Sequence, residues 1–392
     1  MRVSLLIVAM VLLDALMPGA ARADPAQKPD VVIGARIDAR PFVWRNPATK
    51  AYSGFLLDIC TKSVVRAGFQ FTVVDVDADK RVAFLQRGEG DYDLLCDPTT
   101  INLARMETFT GDGEVGKLSF SPIVFVANGS FVAQKPEREK ETGKTFLKGT
   151  YRVDVKNKAF GCNDLKKKLT QGTGHPADYV DATIEDSQLK PFLTLRRPDP
   201  IDTKMFAAYG YVRGSTIGEQ VQELAKRSGE DGLKICEDDY ASHDLATDAS
   251  CKGHLKICAD DYASHDLAAE AFCKGRLARY FGDLDIITAS LATYEKRHNV
   301  RCEAAAAPAS AGTTYEPYAL VASTRRFPDF PERLAYALYG MFQDGTIEGL
   351  FNGHFPGVQK SDHLKTLFAI NSIPTGAAAI SASEDTEISG RR

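Results

Sequence analysis

The residues best equipped for chemistry crowd into one short stretch, Leu94-Leu95-Cys96-Asp97-Pro98-Thr99-Thr100-Ile101-Asn102-Leu103-Ala104-Arg105. An apolar run leads into it, a Pro and two hydroxyl residues follow, and an Arg stands five residues after Thr100. Read locally, a buried strand ends at Cys96 and a helix starts near Thr99 or Thr100. A helix start offers unpaired backbone N–H groups and the positive end of its dipole. Hydroxyls there cap the helix or bind a ligand, and an Arg one turn on can fork onto a carboxylate. Together they make a small anion receptor; the plainer reading is a capped helix with a surface Arg. A second stretch, Gly210-Tyr211-Val212-Arg213-Gly214-Ser215-Thr216, reads as strand, glycine turn and helix N-terminus. Glu219 stands near a capping-box register there, and Ser215 and Thr216 can bind an anion through N–H groups and hydroxyls.

The elements that must position these groups alternate in type. Residues 31–34 form a short β-branched strand, 56–67 an amphipathic helix closed by Gly68, and 69–76 a second strand. A short helix over 82–86 precedes a strand over 92–96. This alternation argues an α/β sheet domain. Strand character returns at 316–321, and helices follow over 331–345 and from Asp344 to the His354-Phe355-Pro356-Gly357 stop. The Ala-rich 304–312 reads as a loop, and 372–392, small and polar, as a disordered tail.

The chain has 392 residues, 44% hydrophobic and 26% charged, a soluble composition with room for two domains. A net charge of −4 gives no footprint for nucleic acid. Residues 1–23 have the pattern of a cleavable secretory signal: Arg2, an apolar core and an Ala21-Arg22-Ala23 cleavage site. Export means an oxidising compartment, so some of the eight Cys are expected to pair. Cys60, in the first helix, and Cys96, at the end of a strand in the same unit, are the expected pair.

Two segments break the pattern. Residues 135–205 open with the charge run Glu137-Arg138-Glu139-Lys140-Glu141 and read as an insertion without chemistry of its own. Residues 233–253 and 255–275 are a tandem repeat at an offset of 22, with 17 of 21 positions identical. Two copies are too few for a solenoid. The repeated Cys and His residues fit no zinc spacing, which favours disulfides and leaves no metal or cofactor implied.

The motifs Gly90-Asp91-Tyr92-Asp93, Thr99-Thr100 to Arg105, Phe120-Ser121-Pro122, Gly275-Arg276 to Asp283 and Asp344-Gly345-Thr346-Ile347, in that order, resemble the periplasmic amino-acid-binding proteins of ABC importers, solute-binding family 3. The resemblance covers about residues 30–134 and 205–360. It implies a type II periplasmic-binding-protein fold: two α/β lobes joined by a two-strand hinge. The N-terminal lobe would take 24–126 and 316–371, and the C-terminal lobe 127–315, including the insertion and the repeat. The first repeat copy would be the surplus unit. By the same resemblance Thr99, Thr100 and Arg105 hold an amino acid's α-groups, Ser215 and Thr216 support the carboxylate from the other lobe, and Asp283, or its neighbour Asp285, meets the ammonium. Phe42, Trp44 and Tyr52 are candidates to stack on the ligand. Arg36 and His265 match pocket cations of acidic-amino-acid binders, which implies glutamate or aspartate. The implied protein is a periplasmic monomer that delivers its amino acid to an inner-membrane permease. The alternatives are an exported sensor or interaction domain, and a cyclohexadienyl dehydratase-like enzyme.

Overall fold

The computed structural model describes residues 30–135, 137–138, 145–146, 148–154, 161–170, 203–228, 233–234, 254–307 and 314–374. The proposed signal, residues 235–253 of the first repeat copy, and the tail from residue 375 lie outside them. Among the described residues no helix is long and apolar enough to cross a membrane.

Among the described residues eleven strands form one sheet. In chain order they are β1 (Asp30–Arg36), β2 (Gln70–Val76), β3 (Leu94–Thr100), β4 (Leu118–Gln134), β5 (Thr150–Asp154), β6 (Thr203–Val212), β7 (Leu233–Lys234), β8 (His254–Tyr262), β9 (Arg279–Asp283), β10 (Ala304–Ala306) and β11 (Thr314–Ser323). The spatial order is β7-β8-β6-β9-β4-β11-β3-β1-β2, with β5 on β6 and β10 on β4. β1 pairs in parallel with β2 and β3, and β6 pairs in parallel with β8 and β9. Between these two parallel halves run β4 and β11, antiparallel to each other. β4 pairs with β11 along its first part and with β9 along its last, so it belongs to both halves.

The helices are α1 (Phe55–Arg66), α2 (Ala78–Arg87), α3 (Leu103–Phe109), α4 (Cys162–Thr170), α5 (Thr216–Ser228), α6 (His265–Cys273), α7 (Leu284–His298), α8 (Phe330–Gln343), α9 (Thr346–His354) and α10 (Asp362–Asn371). One core lies under α1, α8, α9 and α10, where Phe42, Phe55, Phe125, Tyr318 and Phe351 pack together. A second lies between β6, β8 and β9 and helices α6 and α7, around Phe206, Phe272 and Tyr280. β1 is apolar on both faces because it is covered on both faces.

Several local expectations change. β3 runs on through Thr99 and Thr100, which pair with Ala319 and Tyr318 of β11. The following helix starts only at Leu103, capped by Asn102, whose side chain accepts from the Arg105 N–H at 2.8 Å. A ladder partner outcompeted the early helix start. The short helix at 82–86 extends over Ala78–Arg87 because Asp77 caps it. Ala304–Ala306, expected in a loop, is a strand on β4. α10 carried no expectation; Ser361 caps it and Leu364, Leu367 and Phe368 anchor it. The insertion supplies β5 at the edge of β6 and helix α4. The second repeat copy supplies β8 and α6.

Among the described residues three disulfides fix these units. Cys60–Cys96 joins α1 to β3 with Cα atoms 6.2 Å apart. Cys162–Cys258 ties α4 to β8, and Cys273–Cys302 ties α6 to the chain beyond α7. Cys258 and Cys273 are therefore unavailable to a metal. Cys236 and Cys251 lie outside the described residues. The Cys60–Cys96 loop spans 36 residues, for which loop entropy gives about 3–4 kcal/mol. The Cys60→Ser/Cys96→Ser double variant is expected to lose about that much in urea unfolding; a loss under about 1 kcal/mol would show that the bridge does not constrain the unfolded chain.

Candidate ligand-binding cleft

The C-terminal end of β3, the start of α2 and the end of β1 face the start of α5, the start of α6 and the end of β9 across a cleft. Arg36, Arg81, Asp97, Thr100, Ser215, Thr216, His265 and Asp283 line it.

On the first side, the Asp77 cap starts α2 so that Arg81 lies on its inner face, buried. The Arg81 Nε donates to Asp97 Oδ2 at 2.5 Å. Thr99 Oγ1 donates to the same oxygen at 2.8 Å. Burial pushes the Asp97 carboxyl up, but Arg81 and Arg36 outweigh it and hold it below the usual carboxylate range. Arg36 Nε donates to Asp38 Oδ1 at 2.5 Å, a second closed pair. Arg105 differs. Its Nη1 donates to the Thr100 carbonyl at 2.7 Å and its Nη2 to the Gly214 carbonyl at 3.1 Å. Burial and neighbouring Arg81 bring its pKa down to about 10, so it stays charged at neutral pH.

Facing these groups, Gly214 turns the chain at φ 73°. A Cβ there would fall 2.4 Å from Val82 Cγ2, so only glycine lets the two sides approach. The Gly214 carbonyl accepts from both Arg81, at 2.7 Å, and Arg105. Ser215 donates to the Val212 carbonyl at 2.7 Å and accepts from the Gly218 N–H at 3.2 Å, a capping role. The Thr216 hydroxyl donates to Glu316 Oε2 at 2.8 Å. The backbone N–H of His265 donates to Asp38 Oδ2 at 2.7 Å, another contact across the cleft. The His265 Nδ1 meets the Tyr280 hydroxyl at 2.8 Å; burial lowers its pKa to about 4, so the ring is neutral at pH 7. Asp283 ends β9, and burial, with Glu316 and Asp285 adding negative charge, pushes its pKa up to about 7. The Tyr318 hydroxyl lies near Asp283 without a well-formed hydrogen bond.

Residues 31–357 match the family model of the bacterial extracellular solute-binding proteins, family 3. The chain belongs to that family. It has the family's α/β periplasmic-binding-protein type II fold. No curated protein matches the sequence. Similar solved structures include an ancestral arginine-binding protein bound to arginine, 16% identical, covering 84% of this chain and 99% of its own, with a TM-score of 0.49. The arginine-, lysine-, histidine-binding protein ArtJ from Geobacillus stearothermophilus is 14% identical, covering 86% and 99%, with a TM-score of 0.48. The ancestral amino acid-binding protein AncCDT-1, a precursor of cyclohexadienyl dehydratase, is 16% identical, covering 83% and 95%, with a TM-score of 0.46.

Within this solute-binding protein the expected site residues separate into two groups. Arg36, Thr100, Ser215, Thr216, His265 and Asp283 line the cleft; Arg105 stands outside the lining and reaches its edge through the carbonyls of Thr100 and Gly214. Phe42 does not: it is 0% exposed and packs on Phe125, Tyr318 and Phe355. Its expected stacking on a ligand is corrected to a core role. Thr99, also 0% exposed, is corrected from a ligand contact to a support for Asp97. Tyr52 donates to Asp75 away from the cleft, and Trp44 lies under Arg40. Asp285 is exposed and outside the lining; of these two candidates Asp283 lines the cleft, where the other carboxylate, Asp97, is paired with Arg81. Arg81 and Glu316 carried no expected site role, although Glu316 opens the expected strand 316–321. Arg81 sits one residue before the expected helix, and Glu316 reads as an ordinary strand residue; a buried charge whose partner is far along the chain leaves no local signal. Replacing Arg81 by Met strands the Asp97 carboxylate in the interior, so Arg81→Met is expected to cost about 3–5 kcal/mol in urea unfolding. A loss below about 1 kcal/mol would mean that Asp97 does not need the pair.

Proposed function

We propose that this protein is exported to the periplasm, captures a free amino acid in the cleft, and presents the closed form to an ABC permease. One observation carries the reading. Arg36 and Arg81 are answered by Asp38 and Asp97, and His265 is neutral. That leaves Asp283, an ionisable carboxyl in the cleft, and Arg105 at the cleft's edge, bonded to the Thr100 and Gly214 carbonyls and, among the described residues, in no ion pair. A carboxylate on Arg105 and an ammonium on Asp283 complete both, and the molecule carrying that pair on one carbon is an α-amino acid. In this reading the lobes are 24–126 with 316–371, and 127–315. They close because a ligand held from both sides shifts the population towards the closed form.

The acidic preference implied by Arg36 and His265 loses its support, because Asp38 already answers Arg36 and His265 is uncharged. Glu316 adds a further carboxylate behind Thr100 and Thr216. The local charges favour a neutral or cationic side chain over a second carboxylate. Competition among arginine, glutamine, leucine and glutamate checks this: glutamate is expected to compete worst, and glutamate competing best would restore the acidic reading. One observation favours the dehydratase-like alternative: a carboxyl titrating near 7 can serve as a general acid. Turnover of prephenate by the purified chain would establish it.

Arg105→Ala is expected to weaken amino-acid binding by about 2–5 kcal/mol, with the unfolding midpoint of the unliganded protein little changed. Calorimetry giving wild-type affinity would remove Arg105 from the site. The pH dependence follows from Asp283. Its ionised form faces the ammonium, so affinity is expected to be flat above about pH 7 and to fall by up to about tenfold per unit below it. Binding at pH 6 should then release a proton, read from heats in buffers of different ionisation enthalpy; no release would show that Asp283 is not the ammonium partner.

A further inference from the structure

Glu316 is 3% exposed, and among the described residues its bonded partners are hydroxyls and not cations. Its Oε2 accepts from Thr100 Oγ1 at 2.6 Å and from Thr216 Oγ1 at 2.8 Å; its Oε1 accepts from Thr314 Oγ1 at 2.7 Å. The donors come from different places. Thr100 ends β3 on one side of the cleft, Thr216 starts α5 on the other, and Thr314 starts β11, the crossing strand that carries Glu316. Thr100 is held to β11 by sheet register in any case. Thr216 has no ladder to β11, so the Glu316 carboxylate is its hydrogen-bonded tie there. The space for this carboxylate is made by Gly129 of β4, which pairs with Thr314 on one side and with Asp283 on the other. A Cβ at Gly129 would fall 2.1 Å from Thr314 Oγ1 and 3.2 Å from Glu316 Oε1.

We propose that Glu316 is a positioning residue that couples the grip on the ligand to the approach of the two sides of the cleft. Through Thr100 it seats the strand end that leads to Arg105. Through Thr216 it seats the loop whose Gly214 carbonyl meets Arg105. Its charge also faces Asp283, and this gives a readout that a packing role would not move. Among the described residues the titratable and charged groups about Asp283 are Glu316 and Tyr318 of β11, Asp285 of α7, Arg81 of α2, Tyr280 of β9 itself and, across the cleft lining, the neutral His265 of α6. Removing the negative charge of Glu316 relieves repulsion on Asp283 and lets it ionise at lower pH.

The inference rests on amino-acid capture, and the test keeps the two apart. The affinity of the full mature chain is measured against pH for whichever standard amino acid the wild type binds most tightly. Thr216→Val keeps size and charge while removing one donor. It is expected to weaken binding roughly tenfold or more, through faster release, with the pH midpoint unmoved. Glu316→Gln is expected to weaken binding and to move the midpoint down by roughly half a pH unit or more. Thr100→Val and Thr216→Val combined should be non-additive, because both donate to one oxygen. A wild type that binds while Thr216→Val and Glu316→Gln match it in affinity and pH profile overturns the role of Glu316 alone. A wild type that binds no standard amino acid overturns this inference together with the capture reading.

Discussion

A buried charge has to be answered, and around this cleft that requirement decides what each side chain can do. Arg36 with Asp38 and Arg81 with Asp97 are closed pairs. Each pair orders its neighbourhood: Asp97 holds Thr99, and Asp38 holds the first N–H of α6. Charges answered inside the protein have little left to offer a ligand. Among the described residues Arg105 is bonded to carbonyls, one from each side of the cleft, and is in no ion pair, with Glu219, Asp97 and Glu316 acting on it only from a distance. A guanidinium in that position gains most from a carboxylate, and on the proposed reading this asymmetry separates a binding group from its structural neighbours.

The sheet makes the asymmetry possible. β4 and β11 cross between the two parallel halves, so groups at the ends of β3, β9 and the α5 loop converge on one place. Parallel strands put their C-terminal ends at the same edge, where loops and helix starts collect. Glycine controls the approach at two points. Gly214 lets the α5 loop come against α2, and Gly129 leaves room for the carboxylate of Glu316 between the crossing strands.

Most of the architecture was legible because it is local. The apolar runs of β1 and β3, the glycine closing α1 and the helix after Pro331 announce themselves over a few residues. Order along the chain then pointed to one fold. What escaped was set by partners far away in sequence. Thr99 and Thr100 look like a helix start, yet β11, more than two hundred residues later, draws them into the sheet. Phe42 reads as an aromatic that could stack on a ligand, yet Phe125, Tyr318 and Phe355 enclose it. Arg36 looks like a free pocket cation, while Asp38, only two residues on, neutralises it. The Glu316 cluster draws its hydroxyls from residues 100, 216 and 314 and has no sequence signature.

Arg105 and Asp283 together form the proposed receptor for the α-groups of an amino acid. The most direct measurement is a thermal-unfolding screen of the mature chain at pH 8, with each standard amino acid in turn, on wild type and on Arg105→Ala. On this account a few related amino acids stabilise wild type by about 2.7 kcal/mol at one hundred times their Kd, and none stabilises Arg105→Ala by more than about 1 kcal/mol at the same concentration. The contradicting result is that no amino acid shifts the wild type at millimolar concentration, or that the same amino acids shift both proteins equally.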